Sequence, residues 1–174
     1  EKQLNYRLTT SGDVNFDMHT LQLSLDRPAD GTQIHYQDDL GELFSDHLTF
    51  DFTKEGTSIV PSFLVLKGNV RLINRFNDPK TLSNPLTQYA LADRIEIHPH
   101  SKEAHLTAKK NKRVLFYDKV NNINMSAPSF KVVRDQVMKK HAIHGMGDVR
   151  LRFVEQEIEQ LKKRFNFESE EGAL

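Results

Sequence analysis

The side chains best suited to chemistry are the eight histidines. His98-Pro99-His100 sets two imidazoles on one face of an extended chain, where side chains alternate with period two. His141-Ala142-Ile143-His144 places its pair on opposite faces of a strand. Neither spacing brings a third ligand into register, and there is no Cys to supply a thiolate. The expectation is ordinary polar histidines and no metal. For catalysis, the chain has no Gly-x-Ser-x-Gly elbow, no Gly-rich phosphate loop and no Walker pattern. Asp38-Asp39 reads as a turn, and Glu168, Glu170 and Glu171 as a solvated tail. The expectation is a non-enzyme with no cofactor. Lys109-Lys110-Asn111-Lys112-Arg113 is a compact basic run, read as a solvated hairpin loop or as a rim facing anions such as lipid phosphates. Nucleic acid is not expected. Lys+Arg and Asp+Glu both number 24, and aromatics do not interleave with the basic run.

The elements that position these residues are short and alternating. At 174 residues the chain has the length of one domain. Hydrophobic content of 37% and a mean hydropathy of -0.58 predict a thin core. No apolar run approaches the roughly 20 residues that span a bilayer, and the start at Glu1 is what a processed N-terminus would leave. Residues 1–12 read as a polar lead-in. Val14 to Leu25 alternates with one slip at Thr20-Leu21, which predicts a single bulged strand. Strands follow over Gln33–Gln37, Leu48–Phe52, Phe63–Ile73, Ala92–Ile97, Glu103–Ala108, Val114–Tyr117, Asn122–Ala127 and Ser129–Val133. A last pair covers Ala142–Gly145 and Gly147–Leu151. Asn74 to Tyr89 reads as an inserted loop around a polar centre at Pro79–Pro85.

The pattern also repeats itself. Gly68-Asn69-Val70-Arg71-Leu72 returns as Gly147-Asp148-Val149-Arg150-Leu151, and Ser45 to Phe50 parallels Leu91 to Glu96. Short strands in repeated units predict an all-β sandwich, roll or solenoid. The tail differs. Leu151, Val154, Ile158, Leu161 and Phe165 form one helical stripe, with Glu155, Glu157 and Glu159 early and Lys162, Lys163 and Arg164 late. This predicts a helix over 153–166 and a disordered acidic tail over 167–174, after an all-β domain over 1–152.

The alternating apolar face either fills a core or, if two sheets stand apart, lines a groove for an acyl chain, at about 0.8 kcal/mol per buried methylene. The candidates to line it are Leu48, Phe50 and Phe52, then Val65, Val70 and Leu72, then Ile95, Ile97 and Leu106. Val114, Phe116 and Met125 continue the set, with Phe130, Val132, Val149 and Leu151 after them. A one-residue register error inverts any of them. A plain scaffolding β-domain remains the alternative. A glycan-binding or enzymatic jellyroll is disfavoured by the absence of Trp.

Phe63-Leu64-Val65-Leu66-Lys67-Gly68-Asn69-Val70-Arg71-Leu72, followed by Leu91-Ala92-Asp93-Arg94-Ile95-Glu96-Ile97, resembles the repeat of the OstA-like family. The continuation Ser101 to Ala108 and Lys110 to Val114 resembles the closing part of its member LptA, and the likeness covers about residues 31–152. The family comprises the periplasmic lipopolysaccharide-transport proteins LptA, LptC and the N-terminal domain of LptD. The resemblance implies a β-jellyroll of two V-shaped antiparallel sheets whose interior holds the acyl chains of lipopolysaccharide. It implies protomers joined edge to edge, as a homo-oligomer or with other Lpt-type jellyrolls, bridging inner and outer membranes. It implies no catalytic residue. A C-terminal helix is not a standard part of LptA and would block one edge, whereas an LptC-like adaptor also carries a tail after its last repeat.

Overall fold

A computed structural model describes residues 7–37, 41–76, 86–119, 122–134 and 141–153. Among them are fourteen strands, all paired antiparallel. They are β1 (Arg7–Thr9), β2 (Val14–Asp17), β3 (Gln22–Asp26), β4 (Ile34–Gln37), β5 (Gly41–Ser45), β6 (His47–Glu55) and β7 (Ser58–Phe76). Then come β8 (Leu86–His98), β9 (Glu103–Thr107), β10 (Val114–Asp118), β11 (Ile123–Ala127), β12 (Ser129–Arg134), β13 (His141–Met146) and β14 (Arg150–Phe153).

Two long strands make the architecture. The first part of β7 pairs with β6 and its last part with β5, and β8 runs alongside both. Between the two halves the pairing breaks, from Lys67 to Val70. Gly68 and Asn69 fill the break with φ of 80° and 46°, left-handed values that a glycine and an asparagine tolerate best. The strand pair therefore turns a corner and belongs to two leaves. One leaf runs β2-β3-β6-β7-β8-β9-β12-β13, the other β1-β4-β5-β7-β8-β10-β11-β14. The crossings β5 to β6, β9 to β10, β11 to β12 and β13 to β14 go from one leaf to the other, so the corners align into a spine. The result is an all-β, wholly antiparallel architecture of two leaves, as the resemblance implied.

Side-chain chemistry locks the spine. Asp46 Oδ1 accepts from Arg27 Nη1 and Gln33 Nε2, both at 3.0 Å, and its Oδ2 accepts from Asn69 Nδ2 at 3.0 Å. The Asp46 amide donates to the Gly68 carbonyl at 3.0 Å. Burial pushes the Asp46 carboxyl up, but the donors from Gln33, Arg27 and Asn69 outweigh it and hold the group below its ordinary 3.8. Further along, Asp93 accepts from the Lys109 amide at 2.7 Å. Arg113 donates to the Ser126 carbonyl at 2.8 Å and pairs with Asp148 at 3.3 Å.

Some expectations change. Val14 to Leu25 is a hairpin rather than one bulged strand. Asp17 Oδ1 accepts from the amides of His19 and Thr20, and Leu21 takes a φ of 53°, which turns the chain where the alternation slips. The lead-in contains β1, because Leu8 pairs with Tyr36 along a sheet edge. Asn74 to Phe76 and Leu86 to Tyr89 extend the β7–β8 ladder, so the interruption is shorter than 74–89. Its centre at Pro79–Pro85, the turn at Asp38-Asp39 and the acidic tail lie outside the described residues. So does the expected helix apart from Phe153, which ends β14.

Candidate functional site

Alternation along each strand sends one set of side chains between the leaves, and cross-strand register lines them into rows. In the first leaf, the row nearest the spine is Val14, Leu25, Leu48, Leu66, Ile95, Leu106, Phe130 and Gly145, each opposite the next. Leu66, Ile95, Leu106 and Phe130 are fully buried, so the leaves are closed here. One step out runs Phe16, Leu23, Phe50, Leu64, Ile97, Ala104, Val132 and Ile143. The second leaf answers with Leu8, Tyr36, Leu43, Leu72, Ala90, Phe116, Met125 and Leu151. Val70 and Val114 lie on the spine side of that row and are buried.

Away from the spine the leaves part and leave a cavity of about 330 Å³. This is the lower end of the roughly 300–1,000 Å³ of small-molecule sites. Leu72, Ala90 and Phe116 wall it from one leaf; Ile97, Ala104, Leu106, Phe130, Val132 and Ile143 wall it from the other. Asn74 and Gln88 border it on one leaf and Lys102 at the β8–β9 turn on the other; His98 and Glu103 also border it, but their side chains share the outer face with His105 and Lys131. Gln88 Nε2 donates to Asp118 Oδ2 at 3.2 Å. Glu103 pairs with Lys131 at 3.4 Å and His105 at 3.5 Å. Burial raises the Glu103 carboxyl, and those two partners bring it below its ordinary value.

Of the sequence candidates, Leu72, Ile97, Leu106, Phe116, Phe130 and Val132 line the cavity. Leu48, Phe50, Val70, Ile95, Val114, Met125 and Leu151 share the inner faces beside it. Phe52 stacks on Phe50 at 4.8 Å and meets Phe16 edge-on at 6.3 Å. Val149 lies at the β13–β14 corner, against Gly145. Val65 is corrected. It stands opposite Thr49 and Glu96 on the outer face, buried but turned away from the groove that Leu64 and Leu66 face. Sequence reasoning missed Ala90, Ala104 and Ile143, and with them Asn74 and Gln88.

Among the described residues, no three His, Asp or Glu side chains gather as a metal site needs. His98 packs on Phe63 at 4.8 Å and meets the edge of His105 at 5.7 Å, while His144 faces Lys131 across strands. The basic run sits at the spine, between β9 and β10, where Arg113 braces the corner.

No protein-family model and no curated protein sequence matches the chain. A solved structure does. The crystal structure of LptH, the LptA-homologous periplasmic component of the lipopolysaccharide transport device of Pseudomonas aeruginosa, superposes with a TM-score of 0.64. The alignment covers 86% of this chain and 95% of that one at 6% identity. At that identity the likeness carries the fold: this chain is built on the same jellyroll.

Proposed function

We propose that the protein is a non-enzymatic periplasmic carrier that holds acyl chains of lipopolysaccharide between its two leaves and passes them toward the outer membrane. The observation that carries this reading is the cavity walled by apolar rows from both leaves, in a chain whose fold is that of a lipopolysaccharide-transport component. Release and transfer then need no chemistry. An acyl chain slides along side chains that offer burial without directional bonds. The apolar rows reach the terminal strands, which suits end-to-end continuation into another Lpt-type jellyroll or a second copy.

A photoreactive phenylalanine analogue tests this at two positions. Leu72 faces the groove and Leu91, a strand away, faces outward. Irradiation with purified lipopolysaccharide is expected to give an adduct from position 72 and none from position 91. Equal labelling, or none, would overturn the carrier reading. A lipid-free scaffold remains the second reading. It is favoured by the four strands β1, β2, β13 and β14, each paired on one side only among the described residues. Absence of lipid together with defined oligomers would select it.

A further inference from the structure

Alternation sends half of the strand side chains away from the groove, and the two outer faces carry different charge. On the second leaf, Phe44, Arg71, Leu91, Leu115, Ser126 and Arg150 stand opposite one another in one outward row. Glu42, Ile73, Tyr89, Tyr117, Asn124 and Arg152 form the next. Lys119 lies over the Tyr89 ring at 5.2 Å, and the basic run adds Lys112 and Arg113 at the spine. The carboxylates that stand among these cations are already engaged. Glu42 pairs with His35 at 2.9 Å, and Asp93 accepts the Lys109 amide at 2.7 Å. Asp148 pairs with Arg150 at 3.1 Å and Arg113 at 3.3 Å. On the outer face of the first leaf the balance is reversed, because Asp17, Asp26, Asp51, Glu96 and Glu103 outnumber Lys67, Arg94 and Lys131. A chain of zero formal net charge thus keeps an excess of cations on one side.

The cationic face is hollowed twice. Arg71, Leu91, Lys112, Arg113 and Leu115 border a hollow of about 270 Å³. Leu115, Tyr117, Asn124, Arg150 and Arg152 border a second of about 290 Å³. Leu115 belongs to both, so the hollows lie side by side. Arg71 is held at the margin of the first: its guanidinium stacks over Phe44 at 4.4 Å and donates to Gln33 Oε1 at 3.1 Å. Arginine forks match phosphate geometry, and the amphipathic rings of Tyr89 and Tyr117 suit the level of lipid headgroups. A single small anion would use one hollow. Two neighbouring hollows bordered by cations, on a face several strands wide, match a surface of repeated phosphates.

We propose that the outer face of the second leaf docks on an anionic lipid surface, with headgroup phosphates received in the two hollows. The docking needs nothing from the cavity between the leaves, so it stands or falls apart from the carrier reading. It is electrostatic, so salt screens it, whereas apolar burial in the groove is not screened. Leu91 borders the first hollow, so the crosslinking control at that position belongs at high salt.

The test is sedimentation of the full chain with phosphatidylcholine vesicles, either pure or containing about one third phosphatidylglycerol, at about 0.05 M salt. Binding is expected to the mixed vesicles only, and release at about 0.5 M salt. Lys112→Glu and Arg152→Glu alter one hollow each. Each should weaken binding at least about fivefold, the worth of one cation near an anionic surface. Lys67→Glu makes the same change of charge on the other leaf and should bind as the wild type does. A thermal midpoint for each variant confirms that it folds. If Lys67→Glu weakens binding as much as the other two, net charge and not this face is responsible, and the proposal is wrong. If the wild-type chain ignores both vesicles, the proposal is likewise wrong. If it ignores them but binds soluble polyglutamate, the face meets an acidic protein in place of a membrane.

Discussion

Ser45 shows what a single buried atom costs this fold. It sits between the leaves opposite Ile34, fully buried, and its Oγ has no hydrogen-bond partner among the described residues. A hydroxyl taken from water without a partner is a net loss, and removing it relieves that loss. Ser45→Ala is therefore expected to raise stability by up to about 1 kcal/mol in urea unfolding. A loss of that size would mean that a water bridges the hydroxyl. The same scale explains which groove residues the sequence hides. Phe63-Leu64-Val65-Leu66 is apolar at four consecutive positions, so alternation has no phase there and Val65 reads as well as Leu64. Only pairing decides, because Leu64 faces Phe50 and Val65 faces Thr49. Ala90 and Ala104 carry too little side chain to register as lining residues. They matter because of what stands opposite them, Phe116 and Leu72 for one, Ile97 and Val132 for the other. Where the large residues were isolated by polar neighbours, as at Phe50, Ile97 or Phe130, the inward face was legible from the chain alone.

At the scale of elements, the internal repeat turns out to mark corners. Gly68 and Gly147 both take positive φ where the chain crosses the spine, and the following x-Val-Arg-Leu enters the second leaf in both cases. Asp46 and Asp93 likewise each stand at a crossing and accept from a neighbouring corner, although the parallel of Ser45–Phe50 with Leu91–Glu96 sets them one residue out of step. Sequence similarity records repeated corner geometry, and that part of the fold could be read early. The β2–β3 turn could not, because it depends on Asp17 accepting two amides rather than on Gly or Pro. The Asp46 corner also makes a prediction about pH. Its carboxyl is held below 3.8, so its contribution is complete above 3.8 and is lost as pH falls through the lower folded value. Asp46→Asn should be less stable than the wild type at pH 7, and the gap should shrink as pH drops below about 3.8. Urea midpoints from pH 7 to pH 2 measure it. The other carboxyls titrate in both proteins and cancel in the difference. A gap that stays constant across the range would remove Asp46 from the lock.

For the whole molecule the question is what meets the two ends. Among the described residues, nothing caps the inner rows at either end. Leu8, Val14 and Phe16 at one end, and Leu151 and Phe153 at the other, are 36% to 58% exposed. They are the last members of rows whose middles are buried. Apolar ends on strands that, among the described residues, pair on one side only suit the proposed end-to-end association, since pairing would complete the ladder and the row together. The ends are different surfaces, so the proposed joining of unlike ends would be head-to-tail rather than two-fold symmetric. That distinction can be measured. A lysine at either end places an unpaired charge in the joint, so Leu8→Lys and Leu151→Lys should each reduce the chain to monomer in light scattering without lowering its thermal midpoint. Each variant keeps one intact end, and the two intact ends are complementary. Mixing the variants in equal amounts should give a one-to-one dimer that grows no further. If each variant instead dimerised alone, the contact would join like ends. The apolar rows would then meet a copy of themselves in reverse, and a continuous track through successive protomers would be lost.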